Sequence, residues 1–89
     1  MTEFNEWYLD GALYDPKDEE RTDVYLKEVP ARTVNGQEEP LTLELVLCNG
    51  NLHISLVETL PRDILRLAHF LQEVAEEVIT REIRAGDKV

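Results

Sequence analysis

Residues 60–84 read LPRDILRLAHFLQEVAEEVITREIR, and the reading of this stretch decides the architecture expected of the whole chain. Leu60, Ile64, Leu67, Leu71, Val74 and Val78 recur at spacings of four and three in turn, the period of one helical face. Pro61 suits the first turn, where its missing N–H would have no partner in any case. Thr59 or Leu60 then precedes the helix as N-cap, and Thr59 has the better chemistry for it. Asp63 sets negative charge near the positive end of the helix dipole. Arg81, Arg84 and Lys88 lie at the other end, with Gly86 as a stop. Ala68, Ala75 and Ile79 widen the stripe, and Leu65 and Phe70 flank it, so that apolar residues span roughly 200° of the helical wheel. A helix resting on one sheet needs little more than 100°. The excess calls for a second cover, either the N-terminal segment or another chain. The stripe lacks the sustained heptads and e/g charges of a coiled coil. Glu82 falls near its middle, either where the stripe leaves the core or opposite an arginine of a second chain.

Before this helix, Leu41, Leu43, Leu45 and Leu47 alternate strictly, as do Leu52, Ile54 and Leu56, the period of half-buried strands. Asn49-Gly50 between them is a favoured type I′ hairpin turn. That turn pairs Cys48 with Asn51, Leu47 with Leu52, Leu45 with Ile54 and Leu43 with Leu56, all apolar partners on one face. A third strand, Thr22 to Val29, is ended by Pro30. Placing the turn at Asn35-Gly36 pairs Leu26 with Leu45 and Val24 with Leu47, and sets Lys27 opposite Glu44. The fold expected is α+β: a three-stranded antiparallel meander packed on one face by the long C-terminal helix. Leu43, Leu45, Leu47, Leu52, Ile54 and Leu56 form the floor beneath that helix. The other sheet face, with Tyr25, Lys27, Thr42, Glu44, Val46, His53, Ser55 and Val57, stays open.

The first fourteen residues hold most of the aromatic side chains. Phe4, Trp7 and Tyr8 fit a helical face, whereas Trp7, Leu9 and Leu13 fit a strand interrupted at Gly11, and the pattern favours neither. Residues 15–21, an aspartate-proline followed by an acidic run, read as a solvated loop. The 89 residues form one small domain: arm and acidic loop over 1–21, meander over 22–58, helix over 60–84.

Composition narrows the function. The net charge is −10, with eleven acids against four bases in residues 1–39 and eight against five in residues 40–89. No basic patch is visible, so neither nucleic acid nor an anionic membrane is an expected direct partner. One cysteine excludes an internal disulfide framework. No apolar run is long enough to span a membrane, and the first residues lack the charge and apolar core of a signal peptide. The expected location is the cytoplasm.

Three constellations merit weighing for chemistry. Cys48 and His53 share a sheet face as diagonal neighbours, but a thiol beside an imidazole is only the minimum for a nucleophile. His69, Glu73 and Glu76 share the outer helix face without a metal-binding spacing. Asp15, Asp18, Glu19, Glu20 and Asp23 lack the order of a calcium loop. No catalytic residue, cofactor or metal site is expected, and the chain is read as a non-enzyme. The class expected is an acidic protein-protein interaction domain, an adaptor, inhibitor or regulatory subunit, forming a homodimer. Its candidate partner-binding residues are Trp7, Tyr8, Tyr14, Leu65, Phe70, Ile79 and Ile83. Two alternatives are an acidic mimic of nucleic acid that blocks a basic partner protein, and a small ligand-binding or enzymatic module.

Overall fold

The computed structural model describes residues 5–86; Phe4 and Lys88, each assigned a place above, lie outside them. The chain is α+β, with antiparallel strands followed by one helix. The strands are β1 (Glu6–Tyr8), β2 (Leu13–Asp15), β3 (Glu20–Val29), β4 (Arg32–Val34), β5 (Gln37–Glu39), β6 (Thr42–Asn49) and β7 (Leu52–Thr59). The helix, α1, is Pro61–Gly86.

The sheet is built on β3 and β6. Asn35 and Gly36 both take positive φ, 52° and 80°, as a type I′ turn requires. They join β4 to β5, with Val34 opposite Gln37. Pro30 and Pro40 then interrupt the ladder, because proline has no N–H to donate. The pairing frame survives the interruption: stepping three residues along each strand from Arg32↔Glu39 arrives at Val29↔Thr42. Leu26↔Leu45, Val24↔Leu47 and Lys27↔Glu44 follow, as the position of the turn implies.

The second hairpin differs from expectation. Its turn is Gly50-Asn51, one residue later, so that Asn49 pairs with Leu52, Cys48 with His53 and Leu47 with Ile54. Gly50 has φ 61° while Asn51 stays at negative φ, the signature of a type II′ turn with glycine first. Moving the loop one residue along moves every partner by two. Side-chain alternation is therefore kept, and apolar still meets apolar. Alternation alone cannot separate these two frames. A register shift between Leu45 and Val46 then brings Val57 opposite Leu45 and Thr59 opposite Leu43. Val57 consequently belongs to the helix-facing side, not the open side.

The N-terminal segment is strand, and the sheet is wider than a three-stranded meander. β1 pairs with β3 through Trp7↔Leu26 and Tyr8↔Tyr25, and β2 pairs with it through Leu13↔Thr22 and Tyr14↔Arg21. The Leu9 N–H donates to the Val24 carbonyl at 2.9 Å. Asp10, Gly11 and Ala12 then stand where β3 has only Asp23, a bulge in which Gly11 takes φ 83°. The acidic loop is shorter than 15–21. Glu20 and Arg21 are already in β3, and Pro16 to Glu19 make the turn, with the Lys17 N–H donating to Asp15 Oδ1 at 2.9 Å.

α1 begins as its sequence implies. The Leu60 carbonyl accepts the N–H groups of Asp63 (2.9 Å) and Ile64 (3.1 Å), so Leu60 occupies the N-cap. The Thr59 hydroxyl reaches the Asp63 carboxylate at 3.5 Å rather than a backbone N–H, and Arg66 pairs with the same carboxylate at 3.1 Å.

The helix does not roof the sheet. Only Asp63, Ile64 and Leu67 in α1 are half-buried, and every residue from Ala68 to Gly86 is exposed, Glu82 included. Of the expected floor, Leu43, Leu45 and Leu47 are half-covered, but Leu52, Ile54 and Leu56 lie open. Among the described residues one apolar side chain is fully buried, Val46 at 4% exposure, and it sits on the face away from the helix. The helix leaves the sheet after its first two turns. Twenty-six helical residues run about 39 Å, whereas the eight residues of β7 run about 27 Å. The molecule measures 64 × 29 × 18 Å. Its radius of gyration is 17.5 Å, against about 12 Å for a compact chain of this length.

Candidate functional site

Two features stand out on this scaffold: an uncovered apolar surface, and a cluster of polar aromatic side chains on the opposite sheet face.

The apolar surface has two parts. One lies on α1 from the rim of the sheet outward, where Leu71, Val74, Val78, Ile79 and Ile83 follow the helical period and all stand exposed, Ile83 at 60%. The other lies on the helix-facing side of β7, where Leu52, at 60%, adjoins Ile54 and Leu56. Single exposed apolar residues are ordinary on a protein surface; contiguous patches mark contact sites. Between the first turns of α1 and the sheet lies an apolar cleft of about 450 Å³, lined by Trp7, Leu9, Leu26, Leu45, Ile64 and Leu71 among others. Cys48, His53 and His69 are not in its lining.

The seven candidate partner-binding residues are all exposed, but they do not form one surface. Trp7, opposite Leu26, faces the helix side and lines the cleft. Tyr8 and Tyr14 alternate to the other side. Tyr8 stacks on Tyr25 with ring centroids 5.0 Å apart, and the Arg21 guanidinium sits 5.1 Å from the Tyr14 ring centroid. Leu65, Phe70, Ile79 and Ile83 are spread along α1. Sequence reasoning passed over Leu52, Ile54 and Leu56, which it placed beneath the helix, and Leu71 and Val78, which it placed in the buried stripe. Their periodicity is the same as that of the covered residues on the same faces, so no pattern in the sequence singles them out.

The polar cluster follows from the register. Cys48 and His53 are direct cross-strand partners rather than diagonal neighbours, because the hairpin turn lies one residue later than Asn49-Gly50. Cys48 Sγ is 3.6 Å from His53 Nε2, and His53 Nδ1 is 3.2 Å from the Tyr25 hydroxyl. The Gly50 carbonyl, 3.5 Å from Sγ, offers the thiol proton a second acceptor. The Tyr8 hydroxyl donates to Glu6 Oε2 at 2.7 Å. That hydrogen bond, followed by desolvation, holds the Tyr8 phenol above its ordinary pKa. Desolvation raises Tyr25 as well, with the charges of Glu6, Cys48 and Glu44 adding to it. Both phenols therefore stay protonated, as hydrogen-bond donors, past the pH at which a free tyrosine ionises. The arrangement orients the His53 ring against Tyr25, the cross-strand partner of Val46. Its chemistry accounts for order on this face.

No three histidine, cysteine, aspartate or glutamate side chains among the described residues are grouped so as to hold a metal ion. No described helix is long and apolar enough to cross a membrane. Comparison with family models, with curated proteins and with solved structures finds no match for this chain.

Proposed function

We propose that this chain is a non-enzymatic protein-interaction domain whose folded core is completed by association, in the first instance with itself. The observation that supports this is the surface it leaves in water. The accessible area is 7723 Å², whereas a compact monomer of 10.3 kDa exposes about 5,400 Å². The excess, on the order of 2,000 Å² per chain, includes the exposed apolar residues of α1 and β7. Two copies that removed it would bury on the order of 4,000 Å² in total, the size of obligate homodimer interfaces. A chain that exposes so much apolar area alone has little to offset its conformational entropy. The same reading treats the acidic surface as what keeps the assembled domain soluble, and the cytoplasm as its site of action.

Size-exclusion chromatography with light scattering tests it. The expected mass is about twice that of the chain across the low- to high-micromolar range. A folded monomer at high micromolar concentration would overturn the reading.

A further inference from the structure

The reading above says that the apolar surface is covered by another copy; the structure also bears on how. We infer that the cover is reciprocal: the C-terminal half of α1 from one copy lies on the exposed β7 face of the other, and the reverse. This inference rests on the self-association reading.

With Ile64 and Leu67 resting on the sheet, the chain does not make this contact with itself. Covering its own β7 would require α1 to turn back near its middle, and sharp helix kinks arise at proline, glycine or local bulges. The glycine of α1 is at its last position, Gly86, and its proline at its first, Pro61. The interior from Arg62 to Ala85 is unbroken. The projecting half is therefore held away from the leucine face that its own periodicity matches.

The two surfaces suit each other in length and chemistry. Leu71 to Ile83 spans about 18 Å of helix, which fits along the roughly 27 Å of β7. The helix presents Val74, Val78 and Ile79, branched side chains that pack on a pleated surface, and β7 presents Leu52, Ile54 and Leu56. A two-fold axis makes both contacts at once, since whatever one copy donates the other donates equally. Pairing the two projecting helices with each other would cover those helices but leave Leu52 and Ile54 in water. Exchange onto β7 covers both surfaces.

Cysteine cross-linking tests this geometry in the full chain with Cys48→Ser as background. One population carries Ile54→Cys and the other, lengthened by a tag, carries Val78→Cys. These positions lie near the middle of their segments, so they meet whichever way the helix runs along the strand. A second pairing, Leu56→Cys with Val74→Cys, guards against a single substitution that misfolds, and circular dichroism checks each variant. After mixing and mild oxidation, the expected product is the mixed cross-link in at least one pairing. Light scattering on the unmodified chain runs beside it. A dimer that yields Val78–Val78 links and no mixed link overturns the exchange and leaves self-association standing. A dimer in which neither pairing links overturns it too. A monomer overturns both readings together.

Discussion

The two halves of α1 carry one repeating pattern and meet opposite fates. In the first half, Ile64 and Leu67 are partly covered by the sheet. In the second, Val74 and Val78 continue the same stripe and stand in water. The lesson is that a helical period reports a face that needs cover, not what supplies the cover. The first half's partner is a strand in the same chain. The second half has none, because the helix leaves the sheet after its first turns and contains nothing that would let it turn back.

The largest effect expected from breaking this comparison is at Val78. At an exposed position that contacts nothing, a substitution changes stability by about 0.5 kcal/mol or less. At the centre of a buried seam, a carboxylate must be desolvated without a partner. Val78→Asp is expected to weaken self-association a hundredfold or more, about 3 kcal/mol, as measured by sedimentation over a concentration series. An unchanged dissociation constant would place the seam elsewhere.

Ile64→Ala probes the other half. Truncating a fully buried isoleucine costs about 2–5 kcal/mol, and Ile64 is only half-buried, so about 1–2 kcal/mol is expected from urea denaturation. The two variants separate in how the midpoint depends on protein concentration. Ile64→Ala should lower the curve and keep that dependence, whereas Val78→Asp should abolish it. If both behave alike, the halves are one cooperative unit and the distinction between them fails.

Much of the fold was legible because local chemistry points the same way as the tertiary structure. Asn35-Gly36 admits positive φ at both residues, and the β3–β6 register follows from it through two prolines. Asn49-Gly50 has the same composition, yet the glycine there leads a type II′ turn. Both frames keep leucine against leucine, so the alternation could not choose between them. The N-terminal strands were ambiguous because Trp7 and Tyr8 satisfy either period. What decided the matter was the edge of β3, which needs backbone partners that only a long-range contact supplies. The candidate site was the least legible part. Amphipathicity marked Ile79 and Ile83 as surplus, and both stand exposed, but Leu52 and Ile54 have the same pattern as Leu45 and Leu47. Which leucines remain open depends on where a long helix passes, a property of its length and direction rather than of any window of residues.

A smaller effect is expected at the start of the first half. Asp63 accepts from Thr59 and Arg66 and lies in the first helical turn, where a negative charge is favoured. Asp63→Asn removes the charge and weakens the Arg66 pair, and should cost about 0.5–1 kcal/mol by urea denaturation. Self-association should be unaffected, since this end of the helix already rests on its own sheet. A change in dimer affinity as large as that from Val78→Asp would bring the first turn into the seam.

The smallest effect expected is that of salt, and its sign separates an apolar seam from an ionic one. Each chain carries a net charge of −10, so two copies repel before they touch. Ionic strength shortens the range of that repulsion, from a screening length of about 30 Å at 0.01 M to about 8 Å at physiological salt. Apolar contacts do not depend on such screening and are modestly strengthened by excluded salts. The projecting half of α1 has Glu73, Glu76, Glu77 and Glu82 against Arg81 and Arg84. One of those arginines is already engaged within the helix, Arg81 with Glu77 at 3.5 Å. Little opposite charge is left there to draw a second copy. Raising salt should therefore tighten the dimer a few-fold, on the order of 1 kcal/mol or less, in the same sedimentation series. A dimer that loosens with salt would instead be held by charge pairs across its interface. The exposed leucines and isoleucines of α1 and β7 would then need a different explanation.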